Sequence, residues 1–448
     1  MQENRKEDGI ELQELEDYEL FESAIDNYIL EIEALAETLP LVLGLISLRL
    51  KGSSNKLDKF IETNTIESDS GERNFKIPVN QFNLFNRLDT DLNVASAAMN
   101  ILPRTFIVAL VSQYDAYLGN LYRALFQIKP ELAYSLEKEF TFQDILKYKD
   151  LDDLKEEVIE KDVEKLLREN HYEQFKILEK KISKLTKKEF TLTTNLPILP
   201  TFIEVAERRN LFVHCNGIVS QQYIDNCEKH KVSGIEKIKF GDELDVEPIY
   251  FSNAYKANLE IGVKLNQVLW RKFLPHKLIE ADQNLNNICF DLIYNGYYDV
   301  AKTLLEFGTE EIPKNGNQEM RKMLVINKAL AYYLDNDKET AIKILDAEDF
   351  SIGNEFKLAV YVLKENYEEA RKMMIKIGAD DEELGQEEYQ EWPLFKVFRD
   401  TDIFKSTFKE LFKEDFIIRE ASKKAFKSLL DNISSKKKEL LNKEKNNA

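Results

Sequence analysis

The sequence predicts an all-α protein, and three observations lead there. Glycine (15) and proline (10) are scarce among 448 residues, and these are the residues that punctuate turn-rich β folds. Apolar residues recur at three- and four-residue steps over long stretches, the period of one helix face. The last third repeats a helix–turn–helix pattern whose central alanines, Ala301, Ala341 and Ala370, lie 40 and 29 residues apart.

Residues 1–75 read as an acidic N-terminal segment. Leu12, Leu15, Tyr18, Phe21, Ile25, Ile29, Ile32 and Leu35 mark a helix over about residues 12–50, kinked or restarted at Pro40. The run "KGSSNKLDKFIETNTIESDSGERN" (51–74) is polar and lacks periodicity, which predicts a loop or linker. Residues 76–275 carry their own helices. "LPRTFIVALVSQYDAYLGNLYRALF" (102–126) shows a stripe through Phe106, Leu110, Tyr114, Tyr117, Leu121 and Leu125. Helix-like runs follow at about 141–148, 151–170 and 172–186, and a closing helix at about 248–272. Residues 277–430 predict stacked helix hairpins close to the tetratricopeptide period, with "PLFKVFRDTDIFKSTFKELF" (393–412) as a capping unit. Residues 431–448 form a basic tail. From Lys423 onward eight lysines face three acids, the pattern of a solvated, fraying helix.

The net charge of −19 is uneven, since residues 1–38 hold thirteen acids and two bases. A globally acidic chain is a poor non-specific nucleic-acid binder. Most of that objection falls on the N-terminal segment, which leaves room for a local basic site elsewhere. No run reaches the roughly 18 apolar residues of a membrane span, and the N-terminus is not a signal peptide. Three cysteines (Cys215, Cys227, Cys289) without metal-like spacing point to reduced thiols in a cytoplasm. There is no glycine-rich phosphate loop and no Cys/His cluster. No cofactor and no metal are therefore expected.

The chemistry concentrates in "LPTFIEVAERRNLFVHCNG" (199–217). Thr201 and Glu204 have the spacing of a capping box. Asn216-Gly217 is a helix stop, Gly217 suiting the left-handed position. Together they predict a helix over about 202–215. On it Asn210 and His214 share a face, as do Glu207 and His214. Arg209 lies about 140° round the axis from His214, within reach of a long guanidinium. His214 falls in the last turn, where the helix dipole favours its protonated form, a setting for proton handling near neutral pH. The plainer alternative is a histidine that only caps carbonyls. Arg168 and His171 are too closely spaced to form a second such pair, and His171 reads as a surface residue. His230 and His276 stand alone and read as non-functional. Cys215 adjoins His214, but helical neighbours point 100° apart, so they form no nucleophilic pair.

Arg209-Asn210-Leu211-Phe212-Val213-His214, with the following "CNGIVSQQYI" that carries Gly217 and Tyr223, resembles the signature of the HEPN superfamily (higher eukaryotes and prokaryotes nucleotide-binding domains). The resemblance covers about residues 85–275 and includes an acidic residue, Asp115, on the long helix before the motif. It implies a helical bundle that dimerises into one composite site, and a metal-independent endoribonuclease. Arg209 would bind the scissile phosphate, His214 would assist proton transfer, and Asn210 would orient His214 or the phosphate. Asp115 would hold Arg209 by a charge-assisted hydrogen bond. Arg208 departs from the minimal motif and would be a second phosphate contact or a surface charge. The 2′-hydroxyl chemistry is open to RNA and closed to DNA. The resemblance also implies a toxin or anti-phage defence effector, with an antitoxin or phage-derived trigger at the helical repeats. The acidic N-terminus could then cover the basic site and inhibit it. A non-catalytic protein that dimerises and recruits partners is the reading from another class.

Overall fold

The computed structural model describes residues 16–67, 73–75, 77–135, 141, 145, 147–381 and 384–416. The expectations for residues 1–15, for most of 141–148 and for everything beyond 416, the basic tail included, lie outside them. The described residues are mostly helical, as the sequence predicts. The strands among them are one antiparallel pair, β1 (Thr65–Glu67) and β2 (Arg73–Phe75).

Helix α1 (Asp17–Asn64) runs for 48 residues with Pro40 inside it. Of the two readings of Pro40, a kink or a restart, the continuous helix excludes the restart. One expectation fails here: residues 51–64 are its last turns rather than a linker. The cause is packing. Leu57 and Phe60 share a face and are buried, and the Phe60 ring lies 5.9 Å from Phe85 on α2 (Phe82–Ile128). Burial against a neighbouring helix outweighs polar composition. The β1–β2 pair turns the chain back so that α2 retraces α1. At the other end of the hairpin, Tyr28 and Tyr117 stack with centroids 4.5 Å apart.

Nor is α1 a detachable mask. Its Phe21, Ile25, Tyr28 and Ile32 are fully buried against α2 and α7 (Pro248–Phe273). Phe21 stacks on Trp270, and Asn266 Nδ2 donates to the Phe21 carbonyl (2.9 Å). Tyr28 Oη donates to the carbonyl of Asn258 (3.1 Å), and Tyr117 Oη to that of Gly262 (2.8 Å). Gly262 is required, because a Cβ there would run into the Tyr28 ring. Deleting residues 1–50 would therefore open the core rather than uncover a site.

Helices α3 (Leu151–Leu167) and α4 (His171–Thr186) follow α2. Each starts on a side-chain cap. Asp150 accepts from the Asp153 N–H (2.9 Å) and Asn170 from the Glu173 N–H (3.0 Å). Next come α5 (Leu199–His214) and α6 (Gln221–Lys229). Part of residues 79–128 is long and apolar enough to cross a membrane by length and composition, which a search for unbroken apolar runs misses. Only 28% of that apolar window is buried within the fold, although Ile107, Leu110, Val111, Tyr114, Leu118, Leu121 and Leu125 of the longer helix are core residues.

The chain divides into two units, residues 1–324 and 325–448. Three helix pairs follow one another: α8 (Leu278–Tyr294) with α9 (Tyr298–Glu306), α10 (Gln318–Leu334) with α11 (Lys338–Asp346), and α12 (Asn354–Leu363) with α13 (Tyr367–Ile377). One turn recurs in all three. Its left-handed residue is Gly296, Asn336 or Glu365. The next N–H returns to the carbonyl five residues back: Tyr297 to Leu292 (2.8 Å), Asp337 to Tyr332 (2.9 Å), Asn366 to Tyr361 (2.9 Å). Ala301, Ala341 and Ala370 are each fully buried. Helices α14 (Gln386–Glu391) and α15 (Asp402–Phe412) close the described chain around the rings of Tyr389, Phe395, Phe398, Phe404 and Phe408.

Candidate functional site

The site is built on α5. Its N-terminus is not the expected capping box. The helix begins at Leu199 behind Ile198, with no side-chain cap and Pro200 in its first turn. Glu204 is taken up elsewhere. Its buried carboxylate accepts from Tyr223 Oη (2.6 Å), Tyr250 Oη (2.8 Å) and Arg208 Nε (2.7 Å). The Arg208 guanidinium stacks 3.9 Å over the Tyr250 ring and donates to the Asp245 carbonyl (3.3 Å). Arg208 is therefore neither a phosphate contact nor a surface charge. Arg208 and Tyr223 are parts of the clamp around Glu204 that fixes α5 against α6 and α7.

The other end matches the sequence better. Asn216 (φ 49°) and Gly217 (φ 83°) are both left-handed, and the Gly217 N–H returns to the Leu211 carbonyl (3.0 Å). A Cβ on Gly217 would lie 2.9 Å from the Leu244 oxygen and 3.1 Å from Arg104 Nη1. Arg104 of α2 ties this end down. It donates to the Asn216 carbonyl (3.1 Å), to Glu243 (2.8 Å) and to Asp245 (3.3 Å). His214 stands on this anchored end, exposed. No hydrogen bond or ion pair reaches it among the described residues.

Arg209 points inward. Its Nη2 donates to Asp115 Oδ2 of α2 at 2.7 Å, and its Nη1 to Asn210 Oδ1 at 3.2 Å. The Asp115 contact is the one the resemblance implies. The second carboxylate oxygen faces His171, whose Nε2 lies 3.1 Å from Oδ1. The two approach without the alignment of a hydrogen bond. Asp115 Oδ1, His171 Nε2, Arg209 Nε and Tyr114 Oη are buried polar atoms with no hydrogen-bond partner. Such atoms in a protein interior call for an explanation, an ordered water or ion as much as a strained or functional role. Beside them, Glu207 accepts from Asn226 Nδ2 (3.1 Å). Burial pushes the Glu207 carboxyl above the ordinary carboxylate range, against the pull of Asn226 and of His171. His230 packs on Tyr172 (4.4 Å between centroids), and burial, then the Lys229 charge, lowers its pKa. His171, Tyr172, Glu207, Asn226, Lys229 and His230 line a small surface cleft.

The structure thus divides the expected residues. Arg209, Asn210 and Asp115 come together, and Glu207 sits beside them, turned toward α6 rather than toward His214. His214 stands apart, since no side-chain hydrogen bond or ion pair joins it to Arg209 or Asn210 among the described residues. Thr201 serves no cap. His171, expected on the surface, is buried at the centre, with its ring edge-to-face to Phe202 at 5.4 Å. Its signal was present, because His171, Phe175, Leu178 and Ile182 recur at four-, three- and four-residue steps on the buried face of α4. No family model, no curated protein and no solved structure matches the chain.

Proposed function

We propose that the chain is a metal-independent endoribonuclease of the HEPN type, working as a toxin or anti-phage defence effector in a cytoplasm. The observation that carries this reading is the Arg209–Asp115 pair on the helix that presents His214, exposed and unpartnered, at its anchored end. A guanidinium fixed by a carboxylate keeps donors for a phosphate. A histidine with free nitrogens can exchange a proton with solvent and with substrate.

In this reading the RNA 2′-oxygen bonds to the adjacent phosphorus and the bond to the 5′-oxygen breaks, leaving a 2′,3′-cyclic phosphate. His214 takes the 2′-hydroxyl proton or protonates the departing 5′-oxygen. Arg209 offsets the charge that grows on the phosphoryl oxygens. Within one copy Arg209 faces α2 and His214 faces solvent. The site is completed by a second copy, the Arg209 of one serving with the His214 of the other. In the same reading the helical repeats, taken as tetratricopeptide-like, receive an antitoxin or phage-derived trigger.

One observation favours the non-catalytic alternative, in which the bundle dimerises and the helix pairs recruit partners. The Arg209 side chain is only 23% exposed and already paired. Cleavage of total cellular RNA in EDTA separates the two. The nuclease reading expects cleavage by the wild type that is lost in both Arg209→Ala and His214→Ala. Equal cleavage by all three proteins, or by none, sinks it.

A further inference from the structure

Among the described residues, helix α1 leaves one face without a partner. Residues 38–48 carry no charge, between Glu37 and Arg49. In that window Leu41, Leu45 and Leu48 are 70%, 69% and 70% exposed. They recur at four- and three-residue steps on one stripe, about half a turn round from Leu39, Leu57 and Phe60, which are buried. The stripe therefore points away from α2. Surface leucines scattered singly need no explanation. Three in register on an uncharged stretch of a chain with net charge −19 do.

Two glycines lie along the same helix. Gly44 sits within the leucine stripe and Gly52 two turns beyond it. A Cβ on either would meet nothing within 4 Å, so the fold of a single copy needs neither. Glycine destabilises a helix interior relative to alanine. What it offers in return is close approach of another backbone.

We infer that the Leu41–Gly44–Leu45–Leu48 face of α1 is the contact between two copies of this chain, crossing antiparallel at Gly44. The charges select this occupant and this direction. Glu37 lies seven residues before Gly44 and Lys51 seven after. An antiparallel crossing sets Glu37 of each copy level with Lys51 of the other. A parallel one sets Glu37 beside Glu37. Two strongly acidic chains meet at least cost where their surfaces are uncharged and their flanking charges alternate. A lipid surface fits less well, since the acids Glu31, Glu33 and Glu37 border the stripe on its N-terminal side.

The inference does not rest on the nuclease reading, because its test measures mass without RNA. Sedimentation velocity of the full chain is expected to show a dimer. In Leu45→Glu the dimer dissociation constant rises at least tenfold, with helicity and melting temperature kept. Orientation is read by cysteine cross-linking in a Cys215→Ser background. Gly44→Cys, at the crossing point, forms a disulfide-linked dimer, and Leu30→Cys, about four turns away on the same side, does not. A wild type that is monomeric at every soluble concentration overturns the proposal, whether or not it floats with anionic vesicles. So does a Leu45→Glu dimer as tight as the wild type. Equal cross-linking at Leu30→Cys overturns the antiparallel arrangement.

Discussion

His171 and Arg209 face the same carboxylate from opposite sides, Arg209 through a hydrogen bond and His171 by close approach alone. Nε2 of His171 lies 3.1 Å from Asp115 Oδ1, and Nη2 of Arg209 lies 2.7 Å from Oδ2. The residue that orients Arg209 is thus itself positioned by a helix that the motif does not include. With His171→Ala the carboxylate is held from one side only. On the proposed nuclease reading, RNA cleavage is expected to fall about tenfold in kcat, equivalent to about 1.4 kcal/mol, with KM little changed. His171→Gln, whose amide can donate where the imidazole makes no hydrogen bond, should recover part of it. Single-turnover cleavage checks this, with urea unfolding alongside to exclude a merely unstable variant. Unchanged kcat in His171→Ala would mean that Asp115 needs no such support.

The Glu204 clamp makes the opposite prediction. Glu204 is buried and accepts three hydrogen bonds. Glu204→Ala leaves Arg208 as a buried unpaired charge and should cost about 3 kcal/mol of stability. His214→Ala, at an exposed and unpartnered position, should stay within about 0.5 kcal/mol of wild type. Urea midpoints of the two variants test the contrast. Comparable losses would contradict the division of labour along α5.

Gly217→Ala is strained twice over, by its φ of 83° and by the Leu244 oxygen 2.9 Å from the new Cβ. A loss of more than about 1 kcal/mol is expected. Lower His214-dependent cleavage should accompany it, because the Arg104 and Asn216 contacts that anchor that helix end must shift. A calorimetric melting curve reads the first effect and the RNA assay the second.

The pH dependence at Glu207 has a fixed sign. Burial raises its folded pKa above the unfolded value. The stability it contributes is therefore fully present below the unfolded carboxyl range and lost as pH rises through the folded pKa. Glu207→Gln keeps an acceptor for Asn226 and does not ionise. It should melt with the wild type at low pH and above it near neutrality. A wild type that melts higher at neutral pH would show the carboxylate to be satisfied when charged.

Local signals were legible, and long-range choices of side chain were not. The apolar period drew helices over 102–126 and about 248–272, the first of which begins twenty residues earlier, at Phe82, in the structure, and Asn216-Gly217 marked the end of α5. Residues 51–64 were misread because only Leu57, Phe60 and Ile61 carry the period there, and the partner that makes them helical, Phe85, comes after the hairpin. Angles on a helical wheel put Arg209 within reach of His214. They say nothing of Asp115, 94 residues earlier, which draws the guanidinium the other way. Glu204 looked like a cap because the spacing of Thr201 and Glu204 is local, whereas the tyrosines that claim it, Tyr223 and Tyr250, are 19 and 46 residues on.

Gly262 has a consequence for descent. Its missing Cβ is the room in which the Tyr28 ring lies, and nothing within α7 itself asks for a glycine in "ANLEIGVKLNQ". The two positions, more than two hundred residues apart, should therefore change together. A descendant that loses its first helix is released to put any side chain at 262, and one that keeps it is not.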